Sequence, residues 1–153
     1  CDVAITGIVP PGFLGDHLLR VKFIAVAHRD HPLHKLDRML DYRDLRPFRQ
    51  LVVRDSGVRR QRDSGWLEAS QRLTVSRMEV SIKAVARGLG FAWLPELVMR
   101  EELASGEIVP LPMMEGGERF ADLFLILPNR DLAGAAALRC EQLLKASAAS
   151  LSC

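Results

Sequence analysis

The sequence predicts an α/β fold, and three features carry that prediction. Short aliphatic runs alternate along the chain with segments of helical period. The clearest helical segment carries Met78, Ile82, Val85, Ala86 and Leu89 on one face, and strand-like runs flank it at 72–75 and 91–94. The run at 19–27 is apolar on both faces, with Val21, Phe23, Ala25 and Ala27 on one and Ile24 and Val26 on the other. A strand of that kind is covered on both sides, which points to mainly parallel sheets under helices.

In chain order, residues 3–5 read as a short buried strand ended by Thr6-Gly7. Pro10-Pro11-Gly12 then makes a stiff loop, because proline fixes φ and supplies no N–H. His31-Pro32-Leu33 stops the strand at 19–27, and a short helix is expected at 41–45. A β-branched strand follows at 50–53, a loop of Arg, Asp, Ser and Gly at 54–65, and a further strand at 72–75. Ser76 with Glu79 has the spacing of a capping box, so a helix is expected to start there. Gly88 supplies its left-handed stop. Pro95 ends the strand at 91–94 and can open the next helix, which Gly106 terminates. A strand at 108–111, a turn at Gly116-Gly117, a strand at 121–127 and an alanine-rich helix at 132–149 complete the chain.

Length and composition narrow the class. The chain has 153 residues, 48% of them hydrophobic and 26% charged, with a net charge of +2. That is the composition of a globular protein, and so near-neutral a balance gives no electrostatic case for a nucleic-acid surface. The longest apolar run, Leu123 to Pro128 with Ala121 before it, has the length of a strand and is too short to span a bilayer. No charged start leads into an apolar stretch, so no signal peptide is read, and no membrane partner is expected. The chain opens inside a strand-like run, which implies further residues before Cys1. Three cysteines, Cys1, Cys140 and Cys153, have no metal-site spacing and cannot all pair. Cys140 reads as a small apolar helix residue, and the set implies a reducing, cytoplasmic setting.

The chemistry-bearing residues are few. In open α/β sheets ligands bind beyond the carboxyl ends of strands, and two places answer that description. Thr6-Gly7 follows the first strand. Arg54, Ser56 and Gly57 follow the strand at 50–53 and offer a cation, a hydroxyl and backbone amides. The plainer reading is that Thr6 and Ser56 cap turns. Arg59, Arg60 and Arg62 crowd the same loop, balanced by Asp55 and Asp63, and Arg54 is the favoured contact. Arginine forks suit carboxylates, so an organic acid is the natural ligand. His28, His31 and His34 invite a metal reading, but spacing by three co-locates ligands only on a helix and Pro32 interrupts one. Gly88-Leu89-Gly90 ends a helix and enters a strand, the reverse of a dinucleotide fingerprint. Ser64-Gly65-Trp66 lacks the context of a nucleophile elbow, and no Ser, His and acid fall into a catalytic arrangement. No cofactor, metal or catalytic residue is expected.

Several stretches together resemble the effector-binding domain of LysR-type transcriptional regulators. They are Asp2-Val3-Ala4-Ile5; the run from Phe23 through His31-Pro32-Leu33; Asp44-Leu45 with the strand at 50–53; and, above all, Val75-Ser76 with the run from Ala84 through Gly88-Leu89-Gly90-Phe91-Ala92-Trp93-Leu94-Pro95. The resemblance covers nearly the whole chain. It implies two Rossmann-like lobes joined by crossover strands, the type 2 periplasmic-binding-protein-like arrangement, truncated at the N-terminus. One lobe would combine 1–27 with 118–153 and the other would be 28–117. The family's winged helix-turn-helix would precede residue 1, so DNA would be read only by that missing domain. The family further implies a small-molecule effector held between the lobes, in contact with Thr6, Gly7, Arg54, Ser56 and Gly57. It also implies self-association, as a dimer and as a tetramer of the full-length protein, through the helix at 77–87 and the closing helix. A transporter's solute-binding protein is the alternative that shares this two-lobed design.

Overall fold

The computed structural model describes residues 2–54 and 69–151. Two compact units divide the chain: unit 1 is Cys1–Val21 with Phe120–Cys153, and unit 2 is Lys22–Arg119. Two strands, β2 (Asp16–His28) and β7 (Glu118–Ile126), run from one unit into the other.

In unit 2 the second half of β2 pairs antiparallel with β6 (Ile108–Pro110) on one side and with β5 (Phe91–Pro95) on the other. Next to β5 lies β3 (Arg49–Val53), parallel to it, and β4 (Gln71–Val75) is parallel to β3. The expected predominance of parallel pairs therefore holds for only part of the sheet. The α2 crossover makes β4 and β5 run the same way; β2, β5 and β6 are brought together by other connections and pair antiparallel.

The alternation in β2 divides two cores. Ile24 and Val26 face Leu51, Ile82, Val85, Ala92, Leu94 and Met99 beneath helix α2 (Met78–Ala86). Ala25 and Ala27 face Leu33, Leu40, Leu45, Phe91 and Leu111 on the opposite side. This strand is covered on both faces, as its residues predict. Helix α1 (Tyr42–Leu45) and a 3-10 turn at Pro32–Leu36 close the second core. Glu96–Met99 forms a 3-10 turn where a helix opened by Pro95 was expected, and helix α3 (Arg100–Ser105) follows it, stopping at Gly106.

The capping box expected at Ser76 and Glu79 does not form. Arg77 is the N-cap of α2 and makes no side-chain cap. Ser76 lies one residue too early to reach the free amides, and Glu79 falls at the second helical position rather than the third. The C-terminal expectation holds. Gly88 has φ 76°, its N–H donates to Val85 O at 2.9 Å, and Leu89 N–H donates to Ala84 O at 3.0 Å. That double bond is the Schellman stop, and it needs a residue at ease with positive φ.

In unit 1, β1 (Ala4–Thr6) pairs antiparallel with β7, which has the first half of β2 on its other side. Helix α4 (Ala135–Leu151) buries Glu141 and Ala148. The buried Glu141 carboxylate accepts from Arg130 at 3.0 Å and from Lys145 at 2.8 Å, and Lys145 also donates to Asp16 at 2.7 Å. Both cations are needed, because a carboxylate taken out of water without partners is costly. Cys140 lies exposed on this helix. Among the described residues no helix is long and apolar enough to cross a membrane.

Candidate functional site

The carboxyl edge of the parallel strands in unit 2 gathers the first set of residues. Gln50 is in register with Arg72 and Phe91, so Arg54, Ser76 and Pro95 reach the edge at one level. Arg54 is exposed there, and its backbone N–H donates to Val75 O at 2.8 Å. One more rung of the β3–β4 ladder is thereby closed, and the guanidinium is left at the strand's end. Ser76 and Arg77 are also exposed, at the N-terminus of α2, where the helix amides and dipole favour an anion. Read as a helix cap in the sequence, Ser76 belongs instead to this edge, and Arg77 was missed. A strand passing directly into a helix was the signal that could have found both. Ser56 and Gly57, proposed with Arg54, lie outside the described residues.

Beside that edge, Lys22 is in register with Glu96, since Phe23 pairs with Pro95. The Lys22 ammonium lies 2.8 Å from Glu118 and 3.4 Å from Glu96. The bond to Glu118 is the main cause that holds Lys22 above the ordinary lysine pKa; its partial desolvation works the other way. An open hollow of about 530 Å³ adjoins this triad, lined also by Leu111, Met113 and Met114. Trp93, half-buried on the second-core face, donates its indole N–H to Gly116 O at 2.8 Å and carries the Arg119 guanidinium 4.0 Å over its ring. Ala25 is opposite Trp93 in the register.

In unit 1, Thr6 ends β1. Its hydroxyl donates to Ile8 O at 2.8 Å and accepts from Ile8 N–H at 3.2 Å. The turn thus uses the only hydroxyl proton, and a ligand at Thr6 would find an oxygen acceptor rather than a donor. Gly7 beside it is exposed. Thr6 is opposite Phe124 in the ladder, so their side chains share a face. The His17 ring meets Phe124 edge-on at 5.8 Å, and His17 Nε2 lies 3.0 Å from Asp122 Oδ1. Asp122 and Phe124 thus share a sheet face with Thr6, and His17 packs against both of them. Sequence reading missed them, because His17 and Asp122 are 105 positions apart. Among the described residues no group of three His, Cys, Asp or Glu side chains is placed to hold a metal ion.

Residues 1–149 match the family described as LysR substrate binding domain. Solved structures agree in fold. Full-length LTTR LysG from Corynebacterium glutamicum is 21% identical with a TM-score of 0.68, covering 97% of this chain and 50% of its own. The C-terminal domains of a LysR family protein from Agrobacterium tumefaciens are 19% identical with a TM-score of 0.73, covering 97% of this chain and 72% of theirs. The regulatory domain of Synechocystis CcmR, solved in complex with 2-PG, is 17% identical with a TM-score of 0.66, covering 96% of this chain and 73% of its own. This chain thus spans half the length of full-length LysG. No curated protein matches the chain.

Proposed function

The chain belongs to the LysR substrate binding domain family, and from that premise we propose that the effector it senses is a small organic acid. The observation that carries the choice of an acid is the edge of unit 2, where Arg54 stands level with Ser76, Arg77 and the uncapped start of α2. A guanidinium fork and helix amides both suit a carboxylate or phosphate. The 2-PG bound to the Synechocystis domain supports a small-molecule ligand. Ser56 and Gly57 join Arg54 in the contact set proposed for unit 2, and Thr6 with Gly7 is proposed as the contact of unit 1 taken by itself.

Binding to one conformation in preference to another is all that a sensor needs, so the domain works as a binding module and no reaction is assigned to it. In the complete regulator we place DNA reading in an N-terminal winged helix-turn-helix, self-association at α2 and α4, and the whole in the cytoplasm. The family match does not favour a transporter's solute-binding protein. The test is a thermal-shift screen of organic acids against cationic and neutral metabolites, since a ligand of the folded state raises its apparent stability. The acid found is then titrated into wild type, Arg54→Ala and Ser56→Ala. Loss of one hydroxyl contact should weaken binding about tenfold, or about 1–2 kcal/mol, and loss of Arg54 should cost more. Unchanged affinity in both variants would place the ligand elsewhere.

A further inference from the structure

His28, His31 and His34 form a sequence motif that effector sensing leaves unused. In unit 2 they meet at the end of β2 and on the 3-10 turn Pro32–Leu36. Two of the rings serve the backbone. His28 Nδ1 accepts from Asp30 N–H at 3.1 Å. His31 Nδ1 accepts from Leu33 N–H at 3.2 Å and so caps the turn. His31 is 7% exposed, and its ring packs edge-on against Phe48 at 5.2 Å. His34 Nε2 is buried with no partner among the described residues. The turn carries Leu33 into the second core, where it is fully buried beside Leu40 and Leu45.

A ring nitrogen that accepts a hydrogen bond is unprotonated. His31 therefore holds the turn only while it is neutral. A proton on Nδ1 would set a donor against the Leu33 N–H, inside a buried site, with two imidazoles close by. Burial opposes that cation most, and His34 and His28 oppose it further, which keeps His31 below the ordinary histidine pKa of 6.5. The nearby acid, Asp30, lies 3.9 Å from His28 Nδ1 and 4.0 Å from Arg29 Nε, so it serves those two groups.

We propose that the three histidines form an acid-release latch: a proton taken up by His31 Nδ1 breaks the cap and frees the Pro32–Leu36 turn from the second core of unit 2. The regulator thereby has a proton input separate from its effector. Since the folded imidazole resists protonation and the released one does not, the latch is closed above pH 6.5 and weakens as pH falls below it, until folded His31 itself titrates.

Amide exchange of Leu33 between pH 7.5 and 5.5, corrected for intrinsic rates, reads the latch directly. Opening should rise by up to about tenfold for each pH unit below 6.5. In His31→Asn the amide oxygen can cap the turn without titrating, so the rise should vanish. Constant protection of Leu33 in the wild type, or an equal rise in His31→Asn, would overturn the proposal. Should that variant fail to fold, nitrogen NMR of the wild-type imidazole decides. Nδ1 should be unprotonated wherever Leu33 stays protected, and a protonated Nδ1 with Leu33 still protected would refute the latch.

Discussion

Gly116 shows how much one residue can carry. Its φ is 69°, and a methyl group on its Cα would land on the Tyr42 hydroxyl. Its carbonyl accepts the Trp93 indole N–H. Two aromatic side chains thus fix the loop that Leu40 also ties, through Leu40 N–H to Pro112 O at 2.7 Å and Met114 N–H to Leu40 O at 2.8 Å. Gly116→Ala should cost about 1–2 kcal/mol from the left-handed backbone alone, and more from the collision with Tyr42. Urea denaturation should show a lowered midpoint, with Tyr42→Ala restoring the part due to collision in a double-mutant cycle. Equal midpoints for wild type and Gly116→Ala would refute the clamp. The sequence marks Gly116-Gly117 as a turn, but the two aromatic contacts are not in its local pattern.

At the scale of the element, α1 has only four residues and is stabilised by its first turn. Asp41 accepts from Arg43 N–H at 2.7 Å and from Asp44 N–H at 3.2 Å, while Asp44 accepts from Asp41 N–H at 2.9 Å. This reciprocal pattern is the capping box that the sequence analysis placed at α2. Arg38 grips Asp44 from outside with Nη1 at 2.8 Å, and chiefly for that reason the Asp44 carboxyl is lowered to about 2. A lowered carboxyl stabilises the fold above its unfolded value of 3.8, and that contribution is lost as pH falls toward about 2. Asp41→Ala should cost about 1 kcal/mol, whereas Ser76→Ala should leave stability nearly unchanged because Ser76 caps nothing in α2. Paired denaturation curves check this, and a comparable loss in Ser76→Ala would contradict the assignment.

For the whole molecule, +2 of net charge on 153 residues gives little of the counterion release that drives duplex binding. The chain alone should therefore show no sequence-dependent binding of DNA. A mobility shift that survives salt and depends on sequence would show that this domain reads DNA itself.

What the sequence by itself determined lies within single turns and strands. The two-faced apolar run of β2, the Gly88 stop, the strand at 91–94 and the position of Arg54 at a strand end all follow from interactions spanning a few residues. Periodicity and φ preference report such forces directly. Only the tertiary structure decided which strands pair antiparallel, that Ser76 serves an edge rather than a cap, and that His17 meets Asp122 beside Thr6. Those outcomes depend on which of several compatible strands and rings come together across the chain. Burial of the whole core makes that choice, and no local pattern records it.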